Sequence, residues 1–157
     1  MENKAYVEIR DLRKFYPHKD GKLLRKPGEE RPVVKAVDGV NLFIRRGEIL
    51  GVIGESGCGK STLGRLLVRL EDPTGGDVLL DGVSTAEMLK KDPKAFRRQV
   101  QIVFQNPFDT FTPRDTIQKI LLRPLKHHGI GTNTEERLEM IRKVLENGGL
   151  HPAEDIM

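Results

Sequence analysis

The feature that most constrains the fold is a glycine-rich segment, GESGCGKSTL, at residues 54–63. It follows a short apolar run at residues 49–53 and precedes a stretch in which leucines recur at helical spacing. This order is typical of a strand covered on both faces, a tight loop and an amphipathic helix. We therefore expect the loop to join the end of a strand to the start of a helix.

The loop fits the pattern G-x-x-x-x-G-K-[ST] through Gly54, Gly59, Lys60 and Ser61. Glycines allow backbone N–H groups to turn inward around an anion, and the helix directs the positive end of its dipole to the same place. Lys60 adds a mobile charge for β- and γ-phosphates, and the Ser61 hydroxyl suits Mg²⁺. These residue types predict a phosphate site. Cys58, inside the loop, is interpreted as a small tolerated residue rather than a reactive thiol.

Composition limits the remaining possibilities. With 37% apolar and 32% charged residues, the 157-residue chain is typical of a soluble globular domain. It has one cysteine, no apolar run long enough to span a membrane and no secretion signal at its start. The net charge is +4, with a basic stretch at residues 19–31. Acidic residues are interspersed and aromatic residues are few, so we interpret that stretch as a solvated loop and expect no nucleic-acid partner.

Local patterns predict the order of elements. β-rich runs are expected at residues 5–12, within 33–54, at 77–80 and at 100–105, with turns at Asp38-Gly39 and Arg46-Gly47. Helices are expected at residues 60–70, 93–99, 116–129 and 134–147. Asp92 is the predicted N-cap of the second helix, and capping-box patterns precede the fourth. Residues 138, 141 and 145 supply its apolar face, and two glycines end it.

Two longer stretches resemble the ATP-binding subunit of ABC transporters, most of all the oligopeptide/dipeptide importer group. They are VIGESGCGKSTLGRLLVRLEDPTGGDVLLDG and RRQVQIVFQNPFDTFTPRDTI. The second contains VFQNP, similar to the family's Q-loop, with Gln105 placed 45 residues after Lys60, and FTPRDTI, similar to a segment of peptide importers. Upstream, LRKFYP resembles the A-loop, with Tyr16 at the matching position and Phe15 beside it; the basic stretch is similar to an insertion in this group.

The resemblance implies an α/β fold: a P-loop NTPase sheet with an N-terminal antiparallel β layer and the start of a helical subdomain. The expected parts are a β-rich layer at 1–48, the P-loop core to the Q-loop at 49–114 and the helical subdomain at 115–157. ATP and Mg²⁺ are the implied cofactors. The implied nucleotide-binding residues are Tyr16, Gly54, Glu55, Ser56, Gly57, Cys58, Gly59, Lys60, Ser61, Thr62 and Gln105.

Each role follows from the resemblance. Tyr16 would stack on adenine, and Gly57 and Gly59 would present N–H groups to the phosphates. Lys60 and Gln105 would be the catalytic residues, and Ser61 and Gln105 the metal ligands. The Q-loop region would contact transmembrane permease subunits, and a second ATP-binding subunit would pair head to tail. The implied location is the cytoplasmic face of the cell membrane.

Several family motifs are absent from the sequence: the signature Leu-Ser-Gly-Gly-Gln, an apolar run ending in Asp-Glu, and a switch histidine after it. We therefore expect the chain to be the N-terminal portion of a cassette that binds nucleotide without turnover. A GTPase is disfavoured because Asn-Lys-x-Asp is absent, and a P-loop kinase has only Arg97-Arg98 as lid candidates. A non-transport ATPase acting on nucleic acid stays open, with salt-sensitive DNA binding as its discriminator.

Overall fold

A computed structural model describes residues 5–18, 32–106 and 114–157 of the chain. The elements, in chain order, are β1 (Ala5–Pro17), β2 (Val33–Arg45), α1 (Lys60–Leu67), β3 (Gly75–Leu80), β4 (Val83–Ser84), α2 (Thr85–Lys91), α3 (Pro93–Gln99), α4 (Ile117–His127), α5 (Thr134–Asn147) and a 3₁₀ turn at Ala153–Asp155. They form two compact units, Met1–Ile102 and Val103–Met157.

The first unit is built on a four-stranded sheet in the order β2-β1-β3-β4, antiparallel throughout. Its long central strand β1 pairs along its whole length with β2, from Ala5 opposite Arg45 to Pro17 opposite Val33. Helix α1 supplies two leucines to the core of this unit. The buried cluster consists of Ile9, Leu12, Val37, Leu63, Leu66 and Val78.

An irregularity in β1 explains why residue 76 in the neighbouring strand β3 is a glycine. Asp11 has a positive φ of 45°, and the ladders with β2 and β3 both shift register next to it. Gly76 in β3 approaches so closely that a Cβ there would lie 2.2 Å from the Asp11 carbonyl oxygen. A side chain at position 76 would therefore collide with the backbone of β1.

Helices α2 and α3 are fixed by caps and by a buried arginine. The Asp92 carboxylate accepts a hydrogen bond from the Ala95 N–H at 2.9 Å, as predicted for the N-cap of α3. Arg69, buried at the end of the α1 segment, donates to Thr85 Oγ1 at 2.8 Å and to Asp77 Oδ1 at 2.5 Å. These bonds tie the turn after α1 to β3 and to the start of α2, and they satisfy a buried charge.

The second unit consists of α4, α5 and the 3₁₀ turn. Its core has Ile141, Leu145 and Ala153 buried, with Leu138 and the apolar residues of α4 packed around them. The Asn133 side chain caps α5 by accepting from the Glu136 N–H at 2.8 Å, and α5 ends at the predicted pair of glycines. The predicted apolar face and the cap at Asn133 are confirmed, whereas the Glu136 carboxylate accepts from the Thr132 N–H and not from that of Asn133, as a capping box would require.

Three predictions of local structure are wrong. Residues 48–53 and 100–105 form no strand, and Ile49, Ile53 and Val103 are 97%, 96% and 93% exposed. A strand needs a neighbour for its N–H and C=O groups, and among the described residues the sheet has only the four antiparallel strands. Asp38-Gly39 is not a turn but lies inside β2, with Gly39 at φ 73°, whereas Arg46-Gly47 is a turn.

Candidate functional site

The glycine-rich loop leads directly into α1, but the residues immediately before it, 48–53, form no strand. Gly59 is the N-cap residue, with φ 98° and ψ 0°, in the left-handed region that glycine tolerates best. A Cβ at this position would lie 2.1 Å from the Ala36 carbonyl oxygen in β2. The start of the helix is thus seated against the sheet, and this seating requires a glycine.

The Lys60 ammonium folds back over the loop. Its Nζ donates hydrogen bonds to the carbonyl oxygens of Gly54 at 2.8 Å and Glu55 at 2.6 Å, and lies 3.6 Å from Cys58 Sγ. The first N–H groups of a helix have no acceptor within the helix, and Gly59 has no side chain to cap those of α1. One charged group and several amide donors are therefore held within one short segment.

A recess of about 140 Å³ lies at this helix start, lined by Ala36, Gly57, Gly59, Lys60, Ser61 and Thr62. These residues supply an ammonium, two hydroxyls and backbone amides, and none of them carries a carboxylate. This donor set fits an anion such as a phosphate group, and the Ser61 hydroxyl, exposed in the first turn, is an oxygen ligand suited to Mg²⁺.

Tyr16 lies beside α1 and the segment that follows it. Its hydroxyl donates a hydrogen bond to the Glu71 carboxylate and interacts with the Thr62 side chain. The bond to Glu71, and to a lesser extent burial, raises the pKa of Tyr16, while Thr62 opposes this shift. The neighbouring Phe15 has its ring 5.4 Å from Lys35 Nζ. Successive side chains of a strand alternate between faces, so Tyr16 rather than Phe15 lies on the face of β1 that meets Glu71 and Thr62.

Gln105 and the loop are parts of different units. Gln105 belongs to the second unit, where it is exposed in an irregular segment. Glu55, Ser56 and Cys58 are exposed loop residues of the first unit. Residues 111–113 of the FTPRDTI segment and the basic stretch 19–31 lie outside the described residues.

Sequence reasoning missed the surroundings of Tyr16. Lys14 could have been found, because residues two apart in a strand share a face. Its ammonium lies 5.2 Å from the Tyr16 ring centroid. Glu71 follows α1 and is separated from Tyr16 by 55 residues, so no local pattern signals the pair.

A larger recess among the described residues of the first unit lies elsewhere. It has a volume of about 1010 Å³ and is lined mainly by apolar residues of β1, β2 and the run 50–53. The run 50–53 lies beside the sheet without pairing to it, and the recess is the space between them. The recess therefore results from the unformed strand and is not part of the glycine-rich loop. Within the described ranges 5–18, 32–106 and 114–157, no helix is both long and apolar enough to cross a membrane.

Comparison with known proteins gives a consistent result. A family model described as ABC transporter matches residues 37–155. The oligopeptide transport ATP-binding protein AppF of Bacillus subtilis is 42% identical over 94% of the chain and 44% of its own length. A putative peptide import ATP-binding protein of Brucella ovis is 39% identical over 97% of the chain and 44% of its own length. The chain thus spans less than half the length of these relatives.

Solved structures agree. The ATP-binding cassette MJ0796, in a dimeric post-hydrolysis state bound to ADP and Pi, matches with a TM-score of 0.71 and 29% identity, over 93% of this chain and 58% of that one. An ATP-binding subunit of an ABC transporter matches in fold, with a TM-score of 0.63 and 21% identity, over 92% of this chain and 51% of that one. The match confirms the predicted fold class, although the strand before the loop is not formed.

Proposed function

Because the chain belongs to the ABC transporter family, we propose that it binds ATP at the loop 54–62, as the nucleotide-binding part of the energising subunit of a peptide importer. The observation that carries the proposal is the Lys60 ammonium held over an anion-type recess at the start of α1. The names of the relatives support peptide import, and the neighbour solved with ADP and Pi supports the nucleotide.

The residues present would hold the ligand as follows. Gly57 and Gly59 offer backbone N–H groups to the phosphates, and Lys60 exchanges its carbonyl partners for phosphate oxygens. Ser61 would hold Mg²⁺, which neutralises charge on the β- and γ-phosphates when bound. Tyr16 supplies a stacking face for the adenine. Gln105 is assigned the second metal contact and the positioning of water by its place in VFQNP.

Membership of the family supports a proposal for partners and location. We propose that the Q-loop region around Gln105 contacts transmembrane permease subunits, and that the complete cassette pairs head to tail with a second ATP-binding subunit. The working site is then the cytoplasmic face of the cell membrane. We propose the functional parts 1–48 as the β-rich layer, 49–114 as the core to the Q-loop, and 115–157 as the start of the helical subdomain.

The direct test is replacement of the loop lysine. Lys60→Ala removes a charge-assisted contact worth about 1.5–3 kcal/mol, which corresponds to a roughly 10- to 150-fold loss of affinity. A fluorescent ATP analogue titrated against the wild-type chain and the variant measures it. Lys90→Ala, which removes an exposed lysine at the end of α2, is the matched control and should bind as the wild type does. Equal affinities of the wild type and Lys60→Ala would contradict the proposal.

A further inference from the structure

The Glu71 side chain contacts residues of two separate elements, β1 and α1. Its carboxylate accepts the hydrogen bond of the Tyr16 hydroxyl from β1. It also lies 3.8 Å from Lys14 Nζ, again on β1, and 3.6 Å from the Arg65 guanidinium of α1. The side chain is 26% exposed, so these interactions are partly shielded from water. One carboxylate therefore links the strand that carries Tyr16 to the helix that begins at the phosphate loop.

These contacts fix the orientation of the Tyr16 ring. Glu71 holds the hydroxyl end, and the Lys14 ammonium lies 5.2 Å from the ring centroid. Lys14 is itself held by a hydrogen bond to the Asp72 carbonyl oxygen at 2.7 Å, and only 16% of its side chain is exposed. A ring that carries an ammonium on one face can stack a nucleobase on the other.

We propose that Glu71 is a positioning residue for the nucleobase: it accepts the Tyr16 hydrogen bond and holds the ring in the orientation that stacks on the base. The inference rests on the proposed function, in which Tyr16 contacts the adenine. Glu71 does not touch the nucleotide itself. Its contribution is therefore confined to ligands that carry a base, and tripolyphosphate, which has only the phosphates, does not depend on it.

Two substitutions separate the hydrogen bond from the charge. Glu71→Ala and Glu71→Gln remove the same negative charge beside Lys14 and Arg65, but glutamine retains an acceptor for the tyrosine hydroxyl. The readout is the ratio of the affinities for ATP and tripolyphosphate, measured by displacement of a fluorescent ATP analogue. Glu139→Ala, which breaks two ion pairs on α5, with Arg142 at 3.3 Å and Lys143 at 3.6 Å, is the matched control.

Glu71→Ala is expected to lower the ratio about three- to tenfold, the effect of one misplaced hydrogen-bonded contact. Glu71→Gln is expected to stay within about twofold of the wild type, as is the control. Adding Tyr16→Phe to Glu71→Ala should lower the ratio no further, since both changes remove the same hydrogen bond.

Other outcomes of the same measurements would contradict the positioning role or the proposed function. An unchanged ratio in Glu71→Ala, with ATP binding still dependent on Lys60, overturns the positioning role and leaves the proposed function intact. Equal losses in the alanine and glutamine variants show that charge and not the acceptor matters, which also overturns it. Loss of tripolyphosphate and ATP binding in the same proportion in Glu71→Ala also leaves the ratio unchanged and overturns the positioning role, because it reflects general loosening of the loop. ATP binding that does not depend on Lys60 would remove the proposed function itself.

Discussion

Two glycines near the start of α1 differ in whether the structure leaves room for a side chain. Gly59 has a positive φ and approaches the Ala36 carbonyl oxygen, whereas Gly64 lies inside the helix with open space around its Cα. A side chain is therefore excluded at one position and accommodated at the other. The pair allows the seating of the phosphate loop on β2 to be tested without changing any charge.

We expect Gly59→Ala to lower the free energy of unfolding by about 1–3 kcal/mol or more, because of backbone strain and the collision with β2. Gly64→Ala should raise it by about 0.5–1 kcal/mol, the usual gain in a helix interior. Urea unfolding followed by circular dichroism measures both. If Gly59→Ala were as stable as the wild type, the loop would not be seated on β2 as described.

At the start of α5, the Glu136 carboxylate accepts hydrogen bonds from the N–H of Thr132 at 2.6 Å and from its hydroxyl at 2.7 Å. These bonds hold the pKa of Glu136 below its usual value of 4.5. A lowered folded-state pKa gives a stabilisation that is present above the unfolded value and is lost as the pH falls through the folded one.

The expected outcome is a loss of α5 stability on acidification, from about pH 5 downward, that depends on Glu136. Glu136→Gln should flatten this part of the pH profile in thermal unfolding followed by circular dichroism. Glu135→Gln removes the same charge from the neighbouring position of the first turn and serves as the control. Identical profiles for the two variants would show that the hydrogen bonds from Thr132 are not the cause.

At the scale of elements, short sequence patterns correctly predicted helices and strands whose residues carry the signal themselves. Helix α5 has the bounds that its caps and apolar spacing predict, and β1 and β3 follow the apolar patterns of their segments. The runs 48–53 and 100–105 have the composition of strands but form none. Strand formation depends on a partner elsewhere in the sequence, and composition does not report whether one is available.

The candidate site also has a part that local sequence predicts and a part that depends on contacts between distant residues. The loop residues form one continuous motif, so their place at the start of α1 was predictable from the sequence. The contact between Tyr16 and Glu71 joins residues far apart in the chain, and it became visible only through the packing of α1 beside β1. Sequence reasoning therefore identified the group that would hold the phosphates, but not the group that holds the tyrosine.

The exposure of the apolar run 49–53 can be tested by substitution. Because Ile53 is 96% exposed, Ile53→Thr should change the free energy of unfolding by less than about 0.5 kcal/mol and should reduce self-association, measured by sedimentation velocity. The same substitution at the buried Ile9 should cost about 2–4 kcal/mol. Equal costs at both positions would show that residues 49–53 are buried in solution and would contradict the structure.

At the scale of the whole molecule, the chain carries the phosphate loop of a family whose curated relatives are much longer. It covers 44% of AppF, and its sequence contains neither the Leu-Ser-Gly-Gly-Gln signature nor an apolar run ending in Asp-Glu. Hydrolysis of ATP requires metal, positioned water and complementary charge at the same time. In the proposed function the loop binds and orients phosphates, so binding and turnover are separate questions for this polypeptide.

We expect the purified 157-residue chain to bind Mg-ATP weakly and to release no phosphate above the level of its Lys60→Ala variant. Lys60 and Ser61 would hold phosphate and metal, but the acidic residues after Gln105 that the structure describes, such as Asp115, do not end an apolar strand where a carboxylate could polarise water. Phosphate release is the measurement, and Lys60→Ala reveals any contaminating ATPase. Lys60-dependent turnover near about 1 s⁻¹, the low end of ordinary enzyme rates, would show that these residues contain a complete catalytic site.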